Sequence, residues 1–393
     1  MLKYVTAGES HGKGLMGIIE GLPAGVPISE EYINGQLARR QKGYGRGGRM
    51  KIETDRAEII SGVRGGLSLG SPLSFIIYNR DYENWQGIMS PGECDRMEER
   101  AVNRPRPGHA DLAGAMKYNH QDMRNILERA SARETATRVA VGAICCQLLQ
   151  IFDIYIYSQV LSIGSVQAEP HPVNAENRQK IYEVIEASPV RCADAEAGAA
   201  MMALIDQAKQ DGESLGGSFG LGALGVPPGL GSHVSWDTKL DGRIAGALMS
   251  IPAIKAVEIG DGFSNSARPG SQVHDQIYFN NERRIYHQSN RAGGIEGGIT
   301  NGETVWGRAF MKPIPTLYKP LQTVNTLEWQ EEKAVVERSD ICAVPAAAVV
   351  GEAMLAFVIA QATLEKFGSD HVTEIRESWQ RYHDYLKKVW RWE

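Results

Sequence analysis

The sequence predicts an α+β protein built around long buried helices. Two segments, residues 131–150 and 345–366, are apolar around almost the whole helical circumference. Helices of that kind are covered on several sides, so they belong in the middle of a structure. Residues 2–7 and 14–20 have the apolar patterning of strands. Strands packed outside central helices are therefore expected.

A helix and a glycine-rich loop follow the two N-terminal strands. The loop between those strands carries Ser10 and His11, and a helix is predicted over residues 29–40. Residues 43–49 contain too much glycine for regular structure, which predicts a mobile loop or lid. Strand character returns in residues 52–63 and 72–78.

The remaining chain alternates helices with glycine-rich segments. Prolines keep residues 103–109 extended. Ser131 with Glu134 predicts a capping box at the start of the helix that ends near residue 150. Residues 164–209 are predicted to be helical and polar, as in an appended subdomain, and residues 372–389 carry one apolar helical stripe. Glycine-rich returns or loops are expected at residues 212–231, 260–274 and 290–302.

The composition is that of a globular protein with one local positive patch. The formal net charge is −5, yet residues 39–64 hold eight basic residues, Arg46 and Arg49 among them, against three acids. This pattern indicates a small anionic ligand more than nucleic acid. The five cysteines lack CxxC spacing, and no secretory signal is apparent, so we expect a reduced, cytoplasmic protein. Residues 341–360 are interrupted by a proline and a glutamate, which favours a buried helix over a membrane span.

Two histidines are candidates for proton transfer. His11 lies between Ser10 and a glycine that allows close approach of a ligand. His109 follows Arg104 and Arg106, which are two residues apart in an extended segment and so face the same side. Each histidine also has an ordinary alternative role, a hydrogen bond to the backbone.

Two helix starts are candidate anion sites. Ser131 and Arg133 precede one apolar helix, and Arg338, Ser339 and Asp340 precede the other. The unpaired N–H groups and the dipole of a helix N-terminus favour an anion there. An ordinary helix cap explains the same residues equally well.

Other functions remain open on the residues alone. Residues 8–12 match GxSxG, but that nucleophile elbow needs a preceding sheet and a following helix, so a serine esterase built on Ser10 is disfavoured. Residues 43–48 match GxGxxG in the wrong context, because a helix precedes them and strand-like residues follow. A non-catalytic binder of anions or nucleic acid that uses residues 39–64 remains an alternative.

Five motifs together resemble the chorismate synthase family. They are GESHGKGLMGIIEGLP at residues 8–23, RPRPGHAD at 104–111, ERASARETATRVAVGAI at 128–144, KPIPT at 312–316 and RSDICAVPAAAVVGEAM at 338–354. The resemblance extends in order over nearly the whole chain. It implies a single domain, residues 1–393, with a possible polar helical insertion at about 164–209. The implied fold is a β-α-β sandwich, with long buried central helices between antiparallel sheets, assembled as a homotetramer.

The resemblance implies a phosphate-eliminating carbon–oxygen lyase of the shikimate pathway. Its substrate would be 5-enolpyruvylshikimate-3-phosphate (EPSP), which loses phosphate and a C6 hydrogen in a 1,4-anti elimination to give chorismate. Reduced FMN would be required without net redox change. No second domain with a reductase fingerprint is visible, which predicts the monofunctional type, supplied by an external flavin reductase and showing no NADPH-driven turnover by itself. No nucleic-acid, membrane or metal partner is expected.

Site residues follow from the resemblance by position. Catalytic roles are implied for His11, His109, Asp340, Ser10 and Ser131. Substrate contacts are implied for Arg40, Arg46, Arg49, Arg106 and Arg133. Flavin contacts are implied for Arg129, Ala130, Ser131, Ala253, Gly297, Lys312, Pro313, Ile314, Pro315, Thr316, Arg338, Ser339 and Asp340.

Three of these residues have specific implied roles. His11 would be a general acid at the substrate phosphate, and His109 would protonate or stabilise the reduced flavin. Asp340 would lie near flavin N5 and assist removal of the C6 proton. The chain departs from the family at Ala130, where serine is frequent, and at Pro252, where asparagine is frequent.

Overall fold

Two antiparallel sheets enclose a layer of helices. The computed structural model describes residues 1–47, 54–92, 96–280, 284–337 and 339–392. The helices are α1 (Glu30–Gln41), α2 (Gln86–Met89), α3 (Asp111–Tyr118), α4 (Arg124–Ala130), α5 (Thr135–Gln150), α6 (Arg178–Ala187), α7 (Ala195–Asp211), α8 (Leu240–Met249), α9 (Gly262–Ser266), α10 (Gly270–Val273), α11 (Val344–Phe367) and α12 (Val372–Tyr385). The strands are β1 (Lys3–Ala7), β2 (Gly14–Glu20), β3 (Ala57–Ser61), β4 (Val63–Arg64), β5 (Leu67–Ser68), β6 (Leu73–Tyr78), β7 (Tyr155–Ile163), β8 (Val166–Gln167), β9 (Gly217–Leu224), β10 (Ile254–Ile259), β11 (Ile277–Asn280), β12 (Arg284–His287), β13 (Ile295–Glu296), β14 (Ile299–Thr300), β15 (Val305–Met311), β16 (Gln322–Asn325) and β17 (Gln330–Lys333). Short 3₁₀ turns occupy Arg80–Trp85, Met97–Arg100, Ala132–Glu134 and Trp236–Thr238, and Leu386–Trp390 forms a π-helical turn.

The N-terminal sheet has the strand order β1-β2-β6-β3, with every pair antiparallel. Alternate residues of β2 and β6 face the core, which is the period expected of a sheet with one covered face. Leu15 and Ile19 of β2 are fully buried, whereas Ile18 between them is 40% exposed. The sheet therefore has one face toward the helices and one face outward.

The second sheet has the order β10-β15-β9-β7-β8 and is also antiparallel throughout. Its central strand β9 is buried along nearly all of its length. Gly351 of α11 lies against this strand, because a Cβ there would stand 2.5 Å from the ring of Phe219. Helix α11 therefore lies directly on the second sheet.

Helices α5 and α11 form the central layer. Helix α5 contacts β2 of the first sheet and β7 of the second, and packs along α11. At their crossing a Cβ on Gly142 would be 2.3 Å from the Cα of Ala353, so only glycine permits this separation. Both helices are buried on all sides, and the predicted β-α-β sandwich with central helices is confirmed.

The predicted elements agree with the structure in kind and differ at several ends. Strands β1, β2 and β6 and helix α1 lie where the sequence predicts them. The strand expected over residues 52–63 is described only from Ala57, as β3 and β4. Residues 260–274 were expected to form a loop, but they contain the short helices α9 and α10, each of which begins at a glycine. The C-terminal helix ends at Tyr385 and continues as the π-helical turn.

The predicted capping box is wrong in its detail. The Ser131 hydroxyl accepts from the backbone N–H of Arg133, at 3.3 Å, and α5 begins only at Thr135 after a 3₁₀ turn. The Glu134 carboxylate pairs with Arg138 at 2.9 Å instead of reaching back to Ser131. A one-residue shift from α-helical to 3₁₀ geometry is enough to change which N–H the hydroxyl meets.

The polar segment 164–209 contains β8, α6 and most of α7. Its helices are amphipathic, and Met201 and Ile205 of α7 belong to the main hydrophobic core. Within the described residues, α11 is the one helix long and apolar enough to span a membrane, and 89% of its most apolar window is buried inside the protein. That degree of burial is typical of a core helix.

Candidate active site

His11 lies in the β1–β2 loop and is held on two sides. Its Nδ1 is 2.8 Å from Oε1 of Glu128, and its backbone N–H donates to Oε2 at 2.7 Å. The imidazole also stacks on the indole of Trp85, with ring centroids 4.0 Å apart. Because Glu128 holds Nδ1, Nε2 is the ring nitrogen on the side away from the carboxylate. The imidazole therefore has a fixed orientation with one nitrogen left to meet a ligand.

The Glu128 side chain is inaccessible to solvent. Burial raises the pKa of this carboxyl, but the hydrogen bonds and charge of His11, with Arg124 nearby, outweigh burial and hold the pKa below its usual value. Arg124 donates to Oε1 at 3.3 Å. The carboxyl is thus ionised at neutral pH, and its negative charge lies against Nδ1 of His11.

Ser10 and Ser131 are brought together by the fold. The Ser10 hydroxyl donates to that of Ser131 at 3.1 Å, and the Ser10 backbone N–H donates to the carbonyl of Glu128. Asn79 fixes the same loop by donating to the carbonyls of Glu9 and Gly12. Ser10 is only 1% exposed, so its hydroxyl is an internal group.

Arg40 and Arg133 are both buried beside one carboxylate, Asp55. Arg40 pairs with Asp55 at 3.3 Å, and Arg133 pairs with its other oxygen. Arg133 also donates from Nε to the Asn79 side chain, and Arg40 from Nε to Thr135. Burial lowers the pKa of Arg40 to about 10 against the pull of Asp55. The Arg40 guanidinium therefore stays charged at neutral pH.

Asp340 is bound by the glycine-rich loop. Its Oδ2 pairs with Arg46 at 2.7 Å, and its Oδ1 accepts from the backbone N–H of Gly47 at 2.6 Å. The charges of Arg46 and Asp340 also act on Arg40, so this pair adjoins the Asp55 cluster. The predicted site residues Arg49 and Arg338 lie outside the described residues.

His109 forms a second histidine–carboxylate pair. Its Nδ1 is 2.5 Å from Oδ1 of Asp111, and Arg106 binds the same carboxylate from Nε at 2.8 Å. Burial raises the pKa of Asp111, but the hydrogen bonds and charges of His109 and Arg106 outweigh burial and hold the pKa well below its usual value. Arg104, predicted to join this cluster, instead turns to Glu332 at 3.2 Å.

The segment Lys312–Thr316 lies beside His109. Lys312 donates from Nζ to the carbonyl of Gly108 at 2.6 Å, and the hydroxyl of Thr316 accepts from Arg106 at 3.1 Å. The Lys312 backbone N–H donates to Ala253, whose left-handed φ of 68° is rare for a residue with a side chain. Pro313 is exposed, and Ile314 accepts from a serine hydroxyl through its carbonyl. Pro315 is half-buried.

One line of ion pairs joins the two histidine centres. Arg124 donates to Glu128 and, at 3.1 Å, to Glu337. Glu337 lies 3.9 Å from Arg106, which binds Asp111. The path from His11 to His109 therefore runs through side chains of alternating charge.

The remaining implied flavin residues of the described chain are Arg129, Ala130, Gly297 and Ser339. Arg129 turns to β1, where it donates to the carbonyls of Thr6 and Gly8, while Ala130 is half-buried without a polar side chain. Gly297 is exposed in the turn between β13 and β14, next to Gly298, which packs on Lys239. Ser339 is half-buried, and its hydroxyl is 3.4 Å from the Asp340 carbonyl.

Several functional side chains were missed by sequence reasoning. Glu128 and Asp111 lie inside the motifs that carry the family resemblance, next to basic residues, so their position offered a signal. Asp55, Asn79 and Trp85 offered none, because each meets its partner only through the fold. Two concavities, of about 200 Å³ beside Arg39 and about 490 Å³ beside Trp379, lie away from both histidines. No cluster of metal-ligating side chains occurs in the described part of the chain.

Comparison with known proteins identifies the family. The chorismate synthase family model matches residues 2–364. A chorismate synthase of Syntrophomonas wolfei is 65% identical over 393 residues, covering 100% of this chain and 99% of that protein, and one of Moorella thermoacetica is 57% identical over 99% and 100%. A crystal structure of a chorismate synthase superposes with a TM-score of 0.80 at 46% identity, covering 99% of each chain. The chain, in which two histidines each pair with a carboxylate beside buried arginines, belongs to the chorismate synthase family.

Proposed function

We propose that the chain converts EPSP to chorismate by 1,4-anti elimination of phosphate, with reduced FMN and without net redox change. The main support for this proposal is that two histidine–carboxylate pairs, centred on His11 and His109, share one ion-pair network beside buried arginines. Such a site suits a substrate with a phosphate and two carboxylates, because it supplies both positive charge and fixed proton donors.

The donor set of the site fits a flavin mononucleotide. Lys312, Thr316 and Ser339 supply ammonium and hydroxyl donors of the type that phosphate and a flavin ring edge accept. Lys312 and Thr316 are fixed beside His109 through Gly108 and Arg106. These residues, with Arg129–Ser131, would hold the cofactor, and Gly297 is the implied contact that stands apart from them. When bound, reduced FMN supplies electron density that eases departure of the phosphate and is returned at the end of the cycle.

His11 would deliver a proton from Nε2 to the leaving phosphate oxygen as the C3–O bond breaks. Glu128 at Nδ1 favours the imidazolium that this step requires, and Trp85 holds the plane of the ring. The electron pair of the broken bond leaves with the phosphate. Charge-assisted donation of this kind is general acid catalysis from a pre-oriented group.

Asp340 would assist loss of the C6 proton, which completes the elimination. Its carboxylate is held by Arg46 and Gly47, so it is presented from one fixed direction. His109, oriented by Asp111, would hold or give a proton on the cofactor side. Ser10 and Ser131 form a hydroxyl pair suited to relaying a proton.

The arginines would bind the substrate anions in two ways. Arg46 belongs to the loop next to Asp340 and is assigned to direct contact. Arg40, Arg106 and Arg133 are buried and hydrogen-bonded to protein groups, so part of their effect is a positive potential that draws the anion in. Arg49 is proposed to join them on the strength of the family motif.

Self-association as a homotetramer is proposed from the outer face of the first sheet. Val5, Ile18 and Ile60 are 66%, 40% and 58% exposed on its strands, and exposed apolar sheet faces mark protein contacts. We also propose that an external flavin reductase supplies the reduced cofactor, as in the monofunctional type of the family, and that the protein is cytoplasmic.

The competing functions have weak support. A serine esterase requires an accessible nucleophile, whereas Ser10 is buried and donates to Ser131. A nucleic-acid binder requires an outward basic surface, whereas Arg39 and Arg40 of the basic segment are buried in ion pairs.

The test is an anaerobic reaction of the purified protein with EPSP and photoreduced FMN. Chorismate absorbance and phosphate release should appear in equal amounts, and oxidised FMN should give neither. Turnover driven by NADPH with the protein alone would contradict the monofunctional assignment. Folded protein that forms no product with reduced flavin would contradict the proposed function and favour an anion binder.

A further inference from the structure

The glycine-rich loop 43–47 lies between residues 340–341 on one side and helix α7 with Pro189 on the other. On one side Arg46 and Gly47 bind Asp340, and the carbonyl of Gly45 accepts from the backbone N–H of Ile341 at 2.8 Å. On the other side the loop meets helix α7 and the segment before it. The loop that carries a proposed substrate arginine is therefore bounded on both sides.

Tyr44 makes the contacts on the second side. Its backbone N–H donates to the carbonyl of Pro189 at 2.8 Å. Its hydroxyl lies 3.0 and 2.9 Å from the two carboxylate oxygens of Asp206 on α7. Hydrogen bonds to a charged acceptor are among the stronger ones in proteins, so this contact ties the loop to α7.

Gly45 shows how closely the loop and α7 approach. A Cβ at this position would be 2.9 Å from the side chain of Ile205, the residue before Asp206, and its φ is +84°. Ile205 is buried in the core, which makes α7 a firm support at this point. The loop follows a path that α7 and residues 341–342 jointly define.

Helix α6, which ends just before Pro189, is itself anchored to α1. Glu186 of α6 binds Arg39 at 2.7 Å and also pairs with Arg191. Arg39 and Arg40 are consecutive on α1, so the same turn of helix faces α6 through one arginine and Asp55 through the next. The loop begins directly after this turn of α1, and Tyr44 then contacts α7.

We propose that Tyr44 and Asp206 are positioning residues that hold the loop so that Arg46 stays against Asp340. This inference rests on the proposed function for the role of Arg46, and it assigns α6 and α7 a purpose in the site. Tyr44 touches neither Asp340 nor the reacting groups in this arrangement. It acts through the backbone of the loop.

The test compares Tyr44→Phe and Asp206→Asn with Asp211→Asn. Tyr44→Phe removes the hydroxyl that donates to Asp206, whereas Asp206→Asn removes the negative charge and leaves a neutral oxygen acceptor; both keep the side-chain size. Asp211 is on the same helix, where it accepts from Gln207, and serves as the matched control. Amide hydrogen exchange of the full-length protein is measured over residues 43–47, with α11 as a reference for global stability.

Because this hydrogen bond to a charged group is exposed to solvent, its loss in Tyr44→Phe predicts about three- to ten-fold faster exchange in the loop, with a smaller increase for Asp206→Asn and no change for Asp211→Asn. The double variant should match Tyr44→Phe, because without the hydroxyl the residue at position 206 no longer contributes to the contact. In the reaction with EPSP the KM should rise about three- to ten-fold while kcat changes less, the pattern of lost binding.

Unchanged loop exchange in both variants would overturn the proposal, and so would equal acceleration in Asp211→Asn. Faster exchange with an unchanged KM would overturn the link to Arg46. An absence of turnover in the unsubstituted protein would count against the proposed function instead, since loop exchange is measured without substrate.

Discussion

Replacing Glu128 with glutamine tests whether this carboxylate sets the charge of His11. The substitution keeps the size of the side chain and an oxygen acceptor, but removes the negative charge 2.8 Å from Nδ1. A hydrogen bond to a charged partner contributes about 1.5–3 kcal/mol and a neutral one about 0.5–1.5 kcal/mol, so the imidazolium loses about 1–1.5 kcal/mol of stabilisation. Because about 1.4 kcal/mol is a factor of ten, kcat should fall about ten-fold.

The assay is the anaerobic reaction with photoreduced FMN, followed by chorismate absorbance at saturating EPSP. His11→Ala is measured alongside and should fall about 10²–10⁴-fold, the range for loss of an acid or base group. Glu365→Gln serves as the matched control, because Glu365 pairs with Arg243 at the surface at 2.7 Å, away from both histidines. Thermal unfolding checks that each variant is folded.

A kcat of Glu128→Gln within two-fold of that of the unsubstituted protein, together with a loss of activity in His11→Ala, would contradict the proposed role of the Glu128 charge. In that case His11 would act without help from the Glu128 charge. A fall in kcat as large as that of His11→Ala would contradict the predicted ten-fold effect, because glutamine still accepts from the backbone N–H of His11. Only an intermediate loss agrees with a carboxylate that orients and charges the imidazole.

Further predictions concern the second histidine, the buried arginines and the response to acid. His109→Ala should lower turnover about 10²–10⁴-fold in the same assay. Asp55→Asn should destabilise the protein by about 3–5 kcal/mol in urea unfolding, because Arg40 and Arg133 lose their common buried counter-charge. The pKa of Asp111 lies below its ordinary value of 3.8 in the folded protein, so the stability it contributes is full above that value and is lost as the pH falls further. Melting temperatures between pH 4 and pH 2 should therefore fall more steeply in the unsubstituted protein than in Asp111→Asn.

Each of these predictions has an outcome that contradicts it. Near-normal turnover of His109→Ala would remove this residue from the proposed mechanism. Unchanged urea unfolding of Asp55→Asn would mean that the two arginines find other counter-charges. Parallel melting curves for Asp111→Asn and the unsubstituted protein would show that another group controls acid unfolding.

The buried helices were predictable because their signal is local. A helix apolar on all sides has no stable place except between other layers, so α5 and α11 had to be central. The sheets could not be assigned in the same way, since the β9–β15 and β7–β9 pairings join strands far apart in sequence. The family resemblance supplied the sandwich architecture, which the structure confirms, but it did not supply the strand order of either sheet.

The candidate site shows the same difference between residues with a local sequence signal and contacts that only the fold creates. His11, His109 and Asp340 could be named because each lies in a distinctive short motif. Glu128 and Asp111, which orient the two histidines, lie in such motifs but have no property that separates an orienting carboxylate from a helix-capping one. Contact with an imidazole depends on side-chain direction, and spacing along the chain does not fix that direction.

Asp55 and Asn79 show why the rest required a structure. Asp55 is the shared counter-charge of Arg40 and Arg133, whose helices are brought together only when α1 packs on α5. In the sequence Asp55 is one of three acids within a basic segment and suggests nothing more than partial neutralisation. Once the arginines are buried, however, an unpaired cation would cost several kcal/mol, so a carboxylate at this point is a condition of the fold. Arg40 of the basic segment and Arg133 thus form an inward-facing pair whose positive charge is retained because Asp55 makes its burial possible, and that retained charge is what an anionic substrate would meet.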